Sequence, residues 1–504
     1  MSWNSFDKSL SSEENKAVIS ISKRLFLMIT AFVLVLLLWL VSPFLFHRYP
    51  IKYTNIEEHF LYGSIGGEKS DGIPYWVIKV LPEVFADKLP GEGYTSLGFI
   101  QEPDHELPIS FVRSTNWFGL FGLDVVTENC ATCHVGTLRS SPRDTNPRII
   151  SAMPGMSVSL QGFVRFLTES AADERFTADN LMPFINAAGA HFNPLEKLVY
   201  RFFVIPKTRD ELLELRHNFS FMNRQSPYGP GRVDTFTSYK TRRYGFSVDK
   251  LVESELTGIS DYPSIWNQAP RKDMKLHWDG NNDDPSERNR TAALALVSPT
   301  TIDFDSLERI RTWLNEVQAP PYPYAIDSAL AAKGKILFDS NCAKCHTEQG
   351  SEIGEITPIE KIGTDRGRID SYTYELASNQ NLTFSGITYK GVDQRFSHFK
   401  KTNGYTNGLL DGVWLRSPYL HNGSVPTLRD LLNKPEARPK SFYRGYDVYD
   451  QENVGYVSTV SSENGKEFFL YETKLPSNDN GGHLYGTDLD SQDKNALLEY
   501  LKTI

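Results

Sequence analysis

Four cysteines and seven methionines carry all the sulfur in 504 residues, and no methionine follows Met274. No run of lysine and arginine exceeds a few residues, and the net charge is −9. Phosphate backbones need clustered basic side chains, so no nucleic-acid partner is expected. A Walker phosphate loop and a dinucleotide fingerprint are also missing; "GSIGGEK" from Gly63 lacks the spacing and reads as a turn. What the chain holds in quantity is apolar and aromatic side chains, 40% and 12% of its residues. That is enough for real cores, and the length points to two or three domains.

All four cysteines fall in two copies of one pattern, "CATCH" (Cys130 to His134) and "CAKCH" (Cys342 to His346). Cys-x-x-Cys-His is the attachment signature of c-type haem. The two thiols add to the two vinyl groups of one porphyrin, and the next histidine is carried under the iron as proximal ligand. Cys130 and Cys133 are thus assigned to one covalent haem with His134 on its iron. Cys342 and Cys345 are assigned to a second, with His346. Three other uses fit less well. Zinc sites made from two CxxC pairs keep them about 15–20 residues apart, and these lie far apart in the chain. A disulfide across so short a loop stabilises little. A thioredoxin-like redox pair wants a βαβ context, which the sequence does not show.

The 22 residues from Leu25 to Phe46, "LFLMITAFVLVLLLWLVSPFLF", are mostly apolar. At 1.5 Å per residue a helix of that length measures about 33 Å, enough to cross the hydrocarbon core of a bilayer. A cleaved signal peptide has a shorter apolar run and a small-residue cleavage site. An uncleaved single-pass anchor over 25–46 is therefore expected. Lys8, Lys16, Lys23 and Arg24 precede it, while Arg48 and Lys52 come after. That bias makes 1–24 a cytoplasmic tail.

Residues 47–117, rich in glycine and proline, read as a loop-rich wrap around the haem-bearing units. A first haem unit is expected over 118–318. Its last helix lies near "IDFDSLERIRTWLNEV", with Leu307, Ile310, Trp313 and Leu314 at helical spacing and Asp303 or Asp305 as cap. "APPYPY" (Ala319 to Tyr324) cannot continue a helix and reads as a stiff linker at a domain boundary. The second unit, 325–504, opens with a helix capped by Asp327 or Ser328 that runs into the second motif. It closes with one capped by Asp490 or Ser491. A first helix leading into CxxCH and a last helix crossing it is the pattern of a class I cytochrome c, and Gly334 would let the two approach closely. The fold class expected is mainly α: two cytochrome c-like units packed together behind a transmembrane helix. Residues 171–256 exceed that plan and read as an insertion shaping the first haem's pocket, or as a solvated decoration.

With no methionine after Met274, the second unit cannot make a His/Met iron from its own residues. His398, His421 and His483 remain as candidates for a His/His iron, which would transfer electrons rather than bind substrate. In the first unit Met153, Met156, His191, His217 and His277 are available. None is forced by spacing, so that iron is either closed by one of them or open. An open haem beside a closed one is a division of labour.

"PSIWNQAPRKDMKLHWDGN" (Pro263 to Asn281) and "RSPYLHNGSVPTLRDLL" (Arg416 to Leu432) resemble the bacterial di-haem cytochrome c peroxidase and MauG superfamily. With "GTDRGRIDSYT", "FYRGYDVYD" and "GHLYGTDL", the wording is most similar to its branch of di-haem rubber oxygenases and their relatives. The resemblance covers nearly everything from about Tyr62 onward. It implies an active N-terminal haem and an electron-transferring C-terminal haem, held on the periplasmic side of a bacterial cytoplasmic membrane. It implies that Trp278 lies between the haems, an ordinary core tryptophan being the other reading. It implies His483 as the second haem's sixth ligand, with His421 only a motif histidine. Two departures stand out. Where the superfamily's peroxidases place a methionine after the motif histidine, this chain has Pro435. Where they keep a distal glutamate, "TAALALVSPTTID" (Thr291 to Asp303) offers none. Moving a proton across a peroxide bond needs such a group, so dioxygen chemistry or another acid is favoured. The activity expected is that of an oxidoreductase acting on a small oxidant, peroxide or dioxygen. A tethered electron carrier is the alternative. A redox partner protein is compatible with either, and calcium stays open as a cofactor that no spacing identifies.

Overall fold

The computed structural model describes residues 12–46, 49, 51–118 and 121–504; residues 1–11 of the expected tail lie outside them. α1 (Ser12–Phe46) is one long helix. Within it Lys23–Ser42 is long and apolar enough to cross a membrane, with mean hydropathy 2.8 and none of it buried against the protein.

The segment read as a loop-rich wrap carries regular structure. α2 (Ile56–Tyr62) is capped by Asn55, whose side chain accepts from the amides of Glu57 and Glu58. Beyond it, β1 (Ile73–Pro74), β2 (Phe111–Phe118) and β3 (Phe121–Glu128) form an antiparallel sheet in the order β1-β3-β2. Phe111 of β2 pairs with Glu128 of β3, so the sheet delivers the chain straight into the first CxxCH motif. The hairpin straddles the expected boundary at 117. Other sheets are two-stranded, and every strand pair among the described residues is antiparallel. The fold is thus mixed, helices with many small sheets. Period analysis misses such two- to four-residue strands because alternation needs more length to register.

The insertion contains α3 (Pro194–Val199) and α4 (Ile205–Asn218), joined by a π-helical turn, Tyr200–Val204. α4 packs on the helix Leu160–Ala172. α5 (Phe304–Glu316), capped by Asp303, closes the first unit. It packs against α2, with the Trp313 ring 5.0 Å from Phe60. In the second unit α6 (Ser328–Asn341) crosses α7 (Ser491–Leu501), and their caps are Asp327 and Asp490. Gly334 sits at the crossing: a Cβ there would stand 1.9 Å from the Ala496 carbonyl oxygen. No other residue allows that approach without moving one helix.

One apolar core serves both units. Phe60, Ala131, Trp266, Leu307, Phe338, Trp414 and Leu497 belong to a single buried cluster. The proline linker is part of it. Tyr322 stands edge-on to Trp414 at 5.4 Å, and Trp414 Nε1 donates to the Pro320 carbonyl at 3.1 Å. A stretch too proline-rich for helix thus packs as a wall.

Candidate functional site

Each motif forms a single helical turn, Ala131–His134 and Ala343–His346. Before the first, Asn129 accepts from the Ala131 amide at 3.0 Å and donates to the Gly63 carbonyl at 3.0 Å, fixing the turn to the chain after α2. The four thiols are free and partly buried. Burial raises Cys130 and Cys342 to about 11 and Cys133 to about 12, and it raises Cys345 as well. Reactive or metal-binding cysteines need the reverse shift. Among the described residues no group of three or more His, Cys, Asp and Glu side chains gathers to hold a metal ion.

The two motif histidines are held alike. His134 Nδ1 donates to the Pro263 carbonyl at 3.0 Å, and His346 Nδ1 donates to the Gly408 carbonyl at 2.7 Å. A carbonyl on Nδ1 fixes the tautomer and leaves Nε2 with its lone pair outward, the arrangement of a metal-ligating imidazole. Burial keeps both neutral, His134 down to about 4 and His346 below its ordinary value.

The three other histidines of the second unit separate cleanly. His398 pairs with buried Glu287 at 2.9 Å. His421 is buried, stacks on Tyr405 at 4.0 Å and shares a 2.9 Å hydrogen bond with its hydroxyl. The His483 ring centroid lies 6.4 Å from that of His346. Two imidazoles bound on opposite sides of one metal ion, at about 2 Å per nitrogen, put their centroids roughly 6 Å apart. His483 Nδ1 is buried with no partner among the described residues. The loop that carries it is pinned from behind: Arg438 donates to the carbonyls of Gly482 at 2.9 Å and His483 at 3.3 Å. The residues present therefore fit a haem closed by His346 and His483.

A cavity of about 850 Å³ extends along the first motif and reaches His346 of the second, toward the upper end of the size range of cofactor sites. Cys130, Cys133, His134, Trp278 and His346 all line it. The insertion lines it too, through Leu212, Leu215 and Met222. Of the first unit's five candidate ligands, His277 reaches the wall, where its Nδ1 meets Asn281 Oδ1 at 2.5 Å. Met153 is fully buried and packs against Gly136 instead. The wall from Thr291 to Leu296 brings alanines and no carboxylate. Arg271, Arg288 and Arg416 are among the cations that face the cavity. Asp411 pairs with Arg271 at 2.5 Å and with Arg416 at 3.4 Å. Arg288 Nε and Arg416 Nε are buried without a partner among the described residues, and burial lowers both side chains to about 10. Cations in excess of carboxylates suit a group that brings carboxylates of its own, as haem does with its propionates.

Trp278 is held on every side. Its Nε1 donates to the Asp261 carbonyl at 2.9 Å, and its own carbonyl accepts from the Thr406 amide at 2.9 Å. Asp279 pairs with Arg368 at 3.0 Å, and Asp261 takes two bonds from Arg444 at 3.0 and 2.9 Å. Arg368 and Arg444 come from "GRID" and "FYRG", which gives those motif phrases a physical role: they clamp the tryptophan segment. A route can be traced from one motif to the other. His134 leads to Pro263 and, through Tyr262, to Asp261; Asp261 leads to Trp278, then Thr406 and, through Asn407, Gly408 and His346.

Glu128 was not among the residues singled out from sequence. It ends β3, lines the cavity and keeps Oε1 buried without a partner among the described residues. Burial raises it from 4.5 to about 7, with Arg242 pulling the other way. Between those two values the native state binds more protons than the unfolded chain, so stability falls as pH rises through the window. Glu128→Gln is expected to flatten that fall, read as Tm against pH. An unchanged slope would place the titrating group elsewhere.

Residues 404–443 match the family described as RoxA-like, cytochrome c-like, and residues 331–402 match the cytochrome c family. Two relatives come from Sinorhizobium fredii (strain NBRC 101917 / NGR234). The uncharacterized protein y4iM is 30% identical over 290 residues, 49% of this chain and 64% of its own length. The uncharacterized protein y4iJ is 39% identical over 246 residues, 36% of this chain and 39% of its own length. The matches thus span less than two thirds of either relative. Together with the motif geometry, they support a cytochrome c-type haem protein with covalently bound haem, one whose chemistry is haem-based electron transfer or oxidoreduction.

Proposed function

We propose that this chain is a membrane-anchored di-haem oxidoreductase, with α1 in the bilayer and both haem sites on the extracytoplasmic side. Haem supplies one-electron and oxygen chemistry when bound. His134 and His346 would be its proximal ligands, and His483 would close the second site to small molecules. Arg288 and Arg416 would hold propionates. Among the described residues no imidazole ring faces His134 as His483 faces His346, so peroxide or dioxygen would enter at the first site. Its alanine-bearing wall would limit water there, and Glu128, whose carboxyl burial shifts toward the protonated form, is a carboxyl that could hold a proton in the same cavity.

The observation that carries this reading is the hydrogen-bonded route through Trp278. A simple electron store has no need of a clamped aromatic ring on a path between its two motifs. Trp278→Ala is expected to slow electron exchange between the haems while both stay attached, and to slow turnover in step. Stopped-flow mixing of the half-reduced protein with peroxide, and separately of the reduced protein with dioxygen, reads both rates. Unchanged exchange would return Trp278 to the core. Native exchange with no oxidant consumed in either case would favour the tethered carrier.

A further inference from the structure

The helix that starts at Pro194 buries one face and leaves the other bare. Tyr200, Val204 and Ile205 are packed inside, whereas Leu198 is 53% exposed, Phe202 59% and Phe203 70%. Lys197, Arg201 and Lys207 are exposed on the same stretch. Arg201 meets Asp179 at 2.5 Å and Lys207 meets Glu211 at 3.5 Å, both pairs at the solvent surface. Two neighbouring phenylalanines in water are costly on a helix that could have carried polar residues there.

The position of this helix names what covers the face. Asn193, its cap, is buried and accepts from the Glu196 amide at 2.9 Å. Its Nδ2 donates to two carbonyls of α1, Leu40 at 2.9 Å and Trp39 at 3.3 Å. Those residues lie at the end of the apolar Lys23–Ser42 stretch, where a spanning helix leaves the hydrocarbon. The bare face is therefore tied to the level of the lipid headgroups. Aromatic rings beside lysine and arginine are the composition that this layer favours, and basic side chains suit anionic phospholipid.

We propose that Leu198, Phe202 and Phe203 form a second membrane contact, seated in the headgroup layer of the bilayer that α1 crosses. The insertion then has a use besides lining the cavity: it fixes the tilt of the haem-bearing body against the membrane. This rests on α1 being a membrane anchor, and the test separates the two claims. The full chain is reconstituted in vesicles of phosphatidylethanolamine and phosphatidylglycerol, once with Phe203→Cys and once with Leu382→Cys, a site 59% exposed elsewhere on the surface. Labelling of the unsubstituted chain is subtracted. With a charged, membrane-impermeant maleimide, the cysteine at 203 is expected to react at least about tenfold more slowly than the one at 382, and with a lipid-soluble maleimide as fast or faster. Equal rates with the charged reagent, in a chain that stays with the vesicles through an alkaline carbonate wash, would overturn the lipid contact alone. Release by that wash would overturn the anchor, and the contact with it. Both substitutions fall on exposed side chains, so folding is not at stake.

Discussion

His483→Ala is expected to turn the haem at Cys342–His346 from low-spin to high-spin, while His421→Ala leaves it low-spin. The reason is geometric. His483 faces His346 with ring centroids 6.4 Å apart, whereas His421 is stacked on Tyr405 and bonded to its hydroxyl. Two axial imidazoles make a strong ligand field, and removing one leaves a weak or open sixth position. His483 has φ of +48°, which alanine tolerates poorly, so His483→Gly serves as the second variant. The loop keeps its shape in either case, because Arg438 and the Ile362 carbonyl hold its backbone rather than its imidazole. Low-temperature EPR of the oxidised protein counts the two spin states. A low-spin signal that survives loss of His483 and disappears with His421 would reverse the assignment.

Cys342→Ala with Cys345→Ala is expected to leave a folded chain carrying one haem, and Cys130→Ala with Cys133→Ala to leave little folded chain at all. Both motifs would attach haem by the same chemistry, yet their surroundings differ. The second motif lies near the surface, with Lys344 exposed. The first is sunk behind β3 and α5, and its Cys130, Cys133 and His134 all line the 850 Å³ cavity, whereas of the second motif only His346 reaches it. Deleting buried volume costs about 24 cal/mol per Å³ where the walls cannot collapse, so a cavity of that size would cost up to roughly 20 kcal/mol if left dry. Water would relieve much of this at the polar walls. A domain's whole stability is nevertheless only about 5–15 kcal/mol. Alkaline pyridine spectra give haem per chain, and expression yield with circular dichroism gives the folded fraction. A well-folded protein lacking haem at Cys130 and Cys133 would show that the cavity walls support themselves.

The parts of the site that could be read in sequence are those whose chemistry depends on near neighbours. Two thioethers and a proximal ligand need five consecutive residues, so CATCH and CAKCH declare themselves. The absence of methionine after Met274 narrows the candidates for a sixth ligand in the second unit to three histidines, and the fold sets His483 opposite His346 while His398 and His421 are engaged elsewhere. The clamp around Trp278 was not legible as a clamp. Asp261, Asp279, Arg368 and Arg444 are scattered over the chain, and charge pairing at a distance leaves no local period. Glu128 did leave a signal. In β3, alternate residues share a face, and Glu128 stands two places after buried Val126. An acid in line with a buried valine, just ahead of a haem motif, is worth noting. The composition of the proline linker shows that it is stiff, not whether aromatic neighbours will cover it.

α5 has a consequence for how the protein is made. It closes the first unit by packing Trp313 on Phe60, while the Asp303 amide ahead of it bonds to the Ile65 carbonyl. Cys130 and Cys133 leave the ribosome, and would cross the membrane, long before α5 does. During that interval the walls that bury the two thiols are incomplete. On the reading proposed above, the order of synthesis would give haem attachment access to the inner motif until α5 arrives. The second motif, near the surface, keeps no such deadline.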